Sequence, residues 1–230
     1  MKKINKVFSL FLLINFMALP TFAQDWANLN RFKAKNSELE IPGVNENRVV
    51  FMGNSITEGW LGDSTSFFYT KQYINRGISG QTTPQMLLRF RSDVINLKPS
   101  VVVILAGIND IAGNTGPSTN EMILNNLKSM AELAKAHDIK VILSSVLPAY
   151  DFPWNPGTEP SKRVIALNKS LKEYSDRTGI IYLDYFSAMV DHQNGLQEKL
   201  TYDGIHPNLR GYSVMQPLAE KAIEKALMQK

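Results

Sequence analysis

Ser100–Ala106 reads SVVVILA and runs straight into Gly107-Ile108-Asn109-Asp110. From Val101 to Ile104 every residue is β-branched, with no polar residue on either alternate face. A strand with one wet face alternates apolar and polar residues, whereas a strand covered on both faces does not. The run is also too short for a helix, and it ends in a turn. Arg48–Met52 (RVVFM), Lys140–Leu147 (KVILSSVL) and Gly179–Leu183 (GIIYL) share its character, and Gln72–Ile78 holds a weaker version. Between these runs, apolar residues recur at three and four. Met86, Phe90 and Val94 form one such stripe, Ile123, Leu127, Met130 and Ala134 a second, Val164, Leu167, Leu171 and Tyr174 a third, and Tyr212, Met215, Ala219, Ile223 and Ala226 the last. Doubly covered strands alternating with amphipathic helices predict a parallel sheet, and right-handed crossovers favour a doubly wound one. The expected fold is α/β: a three-layer α/β/α sandwich with a flavodoxin-like parallel sheet of five strands in the order 2-1-3-4-5. No repeat or long linker divides residues 24–230, which are expected to form one domain.

The chain has 230 residues, 44% of them hydrophobic and 20% charged, and no cysteine. That balance belongs to a globular protein and excludes a disordered or collagen-like chain. Without cysteine there are no disulfides, no thiolate metal site and no cysteine nucleophile. The first 23 residues read as a signal peptide: Lys2, Lys3 and Lys6 precede an apolar run from Val7 to Leu19, and Thr21-Phe22-Ala23 offers small residues for cleavage. Pro20 cuts the run short of the ~20 apolar residues a spanning helix needs, so no stable membrane insertion is expected after cleavage. Losing those three lysines takes the formal net charge from +4 to +1. No basic stripe remains to suggest a nucleic-acid partner. The expected location is a bacterial periplasm or the exterior; the sequence carries no sign of an oligomeric state.

Three turns follow the first three strands, at the sheet edge where open α/β proteins build their sites. Gly53-Asn54-Ser55-Ile56-Thr57-Glu58-Gly59 presents Ser55, which by itself fits either a nucleophile or a helix cap. In Gly77-Ile78-Ser79-Gly80-Gln81-Thr82-Thr83, Gly80 permits close backbone approach to a ligand, or simply forms a turn into a helix capped by Thr82 or Thr83. Asn109 offers an amide of the kind that steadies an oxyanion, or serves as a turn residue. Near the C-terminus, Thr201-Tyr202-Asp203-Gly204-Ile205-His206-Pro207 puts Asp203 and His206 three residues apart. A serine nucleophile needs an imidazole base, and the imidazole needs a carboxylate to fix its tautomer. A metal pair fits poorly, because no third histidine is near and no His-Glu-x-x-His motif exists. His137 and His192 read as surface residues. In the order 2-1-3-4-5, strand one lies between strands two and three, so Ser55 is expected centrally with a donor loop on each side.

Taken in order, these four segments resemble the four blocks of the SGNH hydrolase superfamily, the GDSL esterases and lipases. The likeness runs from about Val49 to the C-terminal helix and is greatest to the branch holding platelet-activating-factor acetylhydrolase-like proteins and bacterial O-acetylesterases. It implies a serine esterase that works through an acyl-enzyme and uses no cofactor and no metal. It further implies that Ser55 is the nucleophile, His206 the general base and Asp203 its orienting acid. The Ser55 and Gly80 N–H groups and the Asn109 amide would form the oxyanion hole. One departure stands out: the family's first block reads Gly-Asp-Ser, and this chain has Gly53-Asn54-Ser55. Asn54 keeps the size and an acceptor oxygen but not the charge. The α/β-hydrolase elbow Gly-x-Ser-x-Gly fits less well, since position 57 is Thr.

The family branch, export and the proline-rich loop Pro148–Pro160, with Tyr150, Phe152 and Trp154, point to a short acyl group, above all acetyl, on carbohydrate or a related polar alcohol. The expected partner is thus a small-molecule or glycan ester. Asn54, Trp60 and Trp154 are candidates to line the substrate; Trp60 alternatively anchors the first helix, and the aromatic loop alternatively packs as a plug. A lysophospholipase or thioesterase is the competing acylhydrolase. A non-catalytic carbohydrate-binding module is the competing class, and it requires that Ser55, Asp203 and His206 do not converge.

Overall fold

The computed structural model describes residues 25–44, 46–71 and 73–229; the expected signal peptide, residues 1–23, lies outside them. The strands are β1 (Val49–Gly53), β2 (Ile74–Gly77), β3 (Val101–Leu105), β4 (Lys140–Ser144) and β5 (Ile181–Leu183). They form one parallel sheet in the order β2-β1-β3-β4-β5, which is the expected order. Every residue of β1 and β3 is buried, which is why their sequences do not alternate.

The helices are α1 (Lys33–Ser37), α2 (Ser55–Gly59), α3 (Phe67–Thr70), α4 (Thr83–Asp93), α5 (Ile108–Ile111), α6 (Asn120–Lys135), α7 (Ser161–Thr178), α8 (Phe186–Met189) and α9 (Leu209–Met228). Right-handed crossovers put α4, α6 and α7 side by side on one face. On the other face α9 packs against β4 and β5; it meets α2 through Tyr212, whose Oη donates to the Ile56 carbonyl at 2.9 Å, and the residue just after α3 through Glu220, paired with Lys71 at 3.1 Å. Among the described residues no helix is long and apolar enough to cross a membrane.

Two details of the sheet set up the site. Gly53 pairs in register with Gly77 on one side and Leu105 on the other, so β1, β2 and β3 end level and their loops start at one height. β4 is shorter than its apolar run suggests. It stops at Ser144 because the Asn168 side chain of α7 takes over the backbone of Val146, accepting from its N–H at 2.8 Å and donating to its carbonyl at 2.9 Å. The ladder gives way to a side-chain clamp, and the chain turns out of the sheet toward the proline-rich loop.

Candidate active site

Ser55 is the first residue of α2, directly after β1. The strand-to-helix turn is tight enough to need glycine beneath it. A Cβ on Gly77 would lie 2.2 Å from the Glu58 nitrogen and 2.8 Å from the Asn54 carbonyl, so only a bare backbone lets α2 settle on the end of β2. The cap of α2 is Asn54, not Ser55: its Oδ1 accepts from the Ile56 N–H at 3.0 Å. An asparagine performs this capping as an aspartate would, through one acceptor oxygen. Its Nδ2 is buried with no partner among the described residues. The Ser55 hydroxyl is thereby free of structural duty, and it lies 2.9 Å from His206 Nε2.

The loop ahead of α9 builds the other half. Thr201 Oγ1 donates to the His206 carbonyl at 2.7 Å and accepts from Gly204 N–H at 2.9 Å, which closes residues 201–206 into a compact turn. Inside it, Asp203 Oδ1 accepts from the N–H groups of Ile205 (3.0 Å) and His206 (2.8 Å), while Oδ2 sits 2.7 Å from His206 Nδ1. Partial burial works against the Asp203 charge, but the His206 N–H, the imidazole and the Ile205 N–H outweigh it and hold the carboxyl below its usual 3.8. A carboxylate at Nδ1 places the ring proton there, leaving Nε2 as acceptor for the serine hydroxyl. The cap of α9 is Asn208, so Asp203 is released from that task too.

Gly80 and Asn109 stand on the two loops flanking Ser55. Gly80 has φ +76°, a left-handed conformation suited to glycine, and the turn is tied to β1 by Ile78 N–H donating to the Gly53 carbonyl at 3.1 Å. Buried Asn109, at the start of α5, donates one amide proton to the Gln81 carbonyl at 2.9 Å. A primary amide has two such protons, so this bond orients the group and leaves the other for a ligand. Next to it, burial raises Asp110 from 3.8 to about 6 against the opposing donors of Thr83, which tie the start of α4 to α5. If Asn109 stabilises an oxyanion, Asn109→Ala lowers kcat about 10²–10³-fold with little change in KM. Steady-state kinetics on p-nitrophenyl acetate checks this, and a loss confined to KM would remove Asn109 from the role.

The sequence pattern of the GDSL-like Lipase/Acylhydrolase family matches residues 51–214, which takes in all four of these loops. The chain belongs to this family. A solved structure of a candidate acylhydrolase from Bacteroides fragilis is 50% identical, covers 89% of this chain and 99% of its own, and superposes with a TM-score of 0.87. The esterase TesA of Pseudomonas aeruginosa is 29% identical over 145 residues, 61% of this chain and 64% of that protein. An acetylxylan esterase of Geobacillus stearothermophilus is 23% identical over 147 residues, 62% of this chain and 67% of that one. The chain spans about half to two thirds of the length of the curated relatives it matches.

Within the family frame, the aromatic candidates part company. Trp60 is 1% exposed and packs among Phe51, Phe67, Phe68 and Tyr212, stacking on Tyr212 at 5.1 Å. It is core, not a substrate wall, because the short helix after Ser55 turns this side chain down against α9. Asn54 is also 1% exposed and does not reach the surface of the site. Trp154 does: it is 51% exposed, stacks on Phe152 at 5.2 Å and lies 6.4 Å, centroid to centroid, from the His206 ring. Its loop is held closed by Asp151, which accepts from the N–H groups of Phe152 (2.9 Å), Gly157 (2.6 Å) and Thr158 (3.0 Å).

The site also rests on residues that sequence reading passed over. Arg89 of α4, 0% exposed, donates to the carbonyls of Gly53 (3.1 Å) and Arg76 (2.8 Å), to Gln81 Oε1, and to Asp93 at 3.0 Å. It thus holds the residue before Asn54-Ser55 and the residue after Gly80. The segment 25–44, ahead of the family match, clasps the same loop: Gln81 Nε2 donates to the Ala27 carbonyl at 2.8 Å, and Gln85 Nε2 to the Trp26 carbonyl at 2.6 Å. Arg31 pairs with Glu58 at 2.9 Å, and Glu58 accepts from Ser79 N–H at 2.7 Å. A signal for Arg89 existed, since it and Asp93 fall on the buried stripe of Met86 and Phe90; the clasp left none, because isolated long-range polar pairs have no period.

Proposed function

We propose that the protein is an exported serine esterase that hydrolyses short-chain carboxylic esters of carbohydrates or related polar alcohols, acetyl esters above all. The observation that carries the reading is the continuous chain from Ser55 Oγ through His206 to Asp203, at 2.9 and 2.7 Å. As Ser55 Oγ bonds to the ester carbon, its proton passes to Nε2 and the carbonyl electron pair moves onto oxygen. The Ser55 and Gly80 N–H groups and the free Asn109 proton receive that charge. Collapse expels the alcohol, which takes the proton from Nε2. Water then repeats the sequence on the acyl-serine, restoring the hydroxyl and releasing the acid. The departing alcohol lies on the His206 side, next to Trp154, whose exposed indole offers a flat face to a sugar ring. The Geobacillus relative, an acetylxylan esterase, supports a carbohydrate ester.

Hydrolysis of p-nitrophenyl acetate, butyrate and octanoate by the exported protein tests the acyl preference. Acetate is expected to turn over fastest. A preference for octanoate overturns the short-acyl reading in favour of a lysophospholipase or thioesterase. In the same preparation, mass spectrometry should find Gln24 as the first residue; an intact N-terminus would sink cleavage after Ala23.

A further inference from the structure

A polar cleft of about 430 Å³ opens beside Gly80. Its walls come from the N-terminal clasp (Asp25, Trp26 and Asn28), the loop after β2 (Ser79 and Gly80) and the loop after β3 (Asn114). Asn114 Nδ2 donates to the Gly80 carbonyl at 3.0 Å, joining two of these walls at the glycine that also faces Ser55's reaction. Along the C-terminal edge of the sheet the strand order sets Gly80 after β2, Ser55 after β1, Asn109 after β3 and Trp154 after β4, with the β3 loop reaching back to Gly80 through Asn114. Ser55 lies between two exposed tryptophans, Trp154 on one side and Trp26, 46% exposed, on the other.

Trp26 is held as a platform by its main chain. Its carbonyl and that of buried Ala27 are bound by Gln85 and Gln81, so the ring stands in solvent on a fixed base. A flat apolar face ringed by hydroxyl, amide and carboxylate groups matches a sugar, which has C–H faces and hydroxyl edges. An aliphatic acyl chain fits badly, because it would strip water from Asp25, Asn28, Ser79 and Asn114 without replacing their hydrogen bonds. Anionic ligands fit badly as well. The N–H groups of Leu29 and Asn30 lower the Asp25 carboxyl, which stays charged at neutral pH.

We propose that this cleft is a second sugar subsite, so that the substrate is an acylated neutral oligosaccharide lying across Ser55 from Trp154 to Trp26. The inference rests on the esterase reading above and adds the requirement for more than one sugar unit.

The test compares wild type, Trp26→Ala and Trp26→Phe on p-nitrophenyl acetate, on acetylated monosaccharides and on acetylated xylo-, gluco- and manno-oligosaccharides, following acetate release. Wild type should favour an oligosaccharide over its monosaccharide ester by about tenfold or more in kcat/KM, the scale of one good contact. Trp26→Ala should erase that ratio and Trp26→Phe should keep most of it. Equal rates on mono- and oligosaccharide esters overturn the subsite, and so does an oligosaccharide preference that survives Trp26→Ala. So does a uniform loss on every substrate, which would mark Trp26 as structural. Calorimetry of the unacylated oligosaccharides with Ser55→Ala reads the cleft without turnover. Binding that depends on Trp26, in a protein with no Ser55-dependent activity, would keep the cleft and sink the esterase reading instead.

Discussion

Ser55→Ala should lose at least about 10⁴-fold in kcat/KM on p-nitrophenyl acetate while melting within a degree or two of wild type. The two halves of this expectation have separate grounds. The hydroxyl makes one bond, to His206 Nε2, and it caps nothing, because Asn54 holds the start of α2. Removing it from a half-buried position leaves no donor or acceptor stranded in the core, so stability should move by no more than about 0.5 kcal/mol. Removing the attacking atom, by contrast, removes the acyl-enzyme route altogether. His206→Ala should be nearly as severe, and the double variant no worse than either, because groups that act as one unit do not add. A Ser55→Ala protein that keeps a tenth of its activity would end the serine mechanism. Loss of activity together with loss of the fold would mean that Ser55 has a structural duty absent from the contacts seen here.

The fold was legible because its signal is periodic. Val101–Leu105 and Val49–Gly53 lack alternation since both their faces are covered, and the apolar stripes at three and four between the strands supply the helices that cover them. The positions of Ser55, Asp203 and His206 were legible for a different reason. Ser55 alone fits a nucleophile or a cap, and what singled the three out was a serine, a histidine and an acid in the order of the family's blocks; the folded chain then gives the capping to Asn54 and Asn208. Sequence left Trp60 open between a substrate wall and an anchor of the first helix, because order along the chain does not say which way a side chain points; the fold makes it an anchor, turned into the aromatic core. Arg89 and Asp93 lie on an apolar stripe, and a charge there is the mark of a buried pair. The clasp formed by Trp26, Ala27 and Arg31 depends on contacts between distant residues with no repeat, and only the folded chain displays it.

That clasp and the reactive turn share one buried cation, and Arg89→Met should therefore cost about 3–5 kcal/mol of stability, the usual range for breaking a buried ion pair from one side. Burial pulls the Arg89 guanidinium below its ordinary range, Asp93 beside it opposes the shift, and four acceptors replace the water the cation gives up. Methionine fills much of the same volume but supplies no donor. The Gly53 carbonyl would keep Ile78 N–H, yet the Arg76 carbonyl, on edge strand β2, would lose the bond that covers it. Asp93 would retain the Asn36 amide at 2.8 Å and the more distant Arg76 guanidinium, and lose its directly bonded partner. Adding Asp93→Leu to Arg89→Met should recover part of the loss, since a buried apolar pair is less costly than an orphaned carboxylate. The functional effect follows from position: Arg89 ties Gly53, just before the nucleophile turn, to Gln81, just after Gly80. With that tie cut, the proposed oxyanion donors lose their fixed spacing from Ser55, and kcat should fall more than KM rises. Urea denaturation and steady-state kinetics read the two effects side by side. A loss of under 1 kcal/mol would show that the pair is no keystone, and an unchanged kcat in the folded variant would separate the network from the chemistry it surrounds.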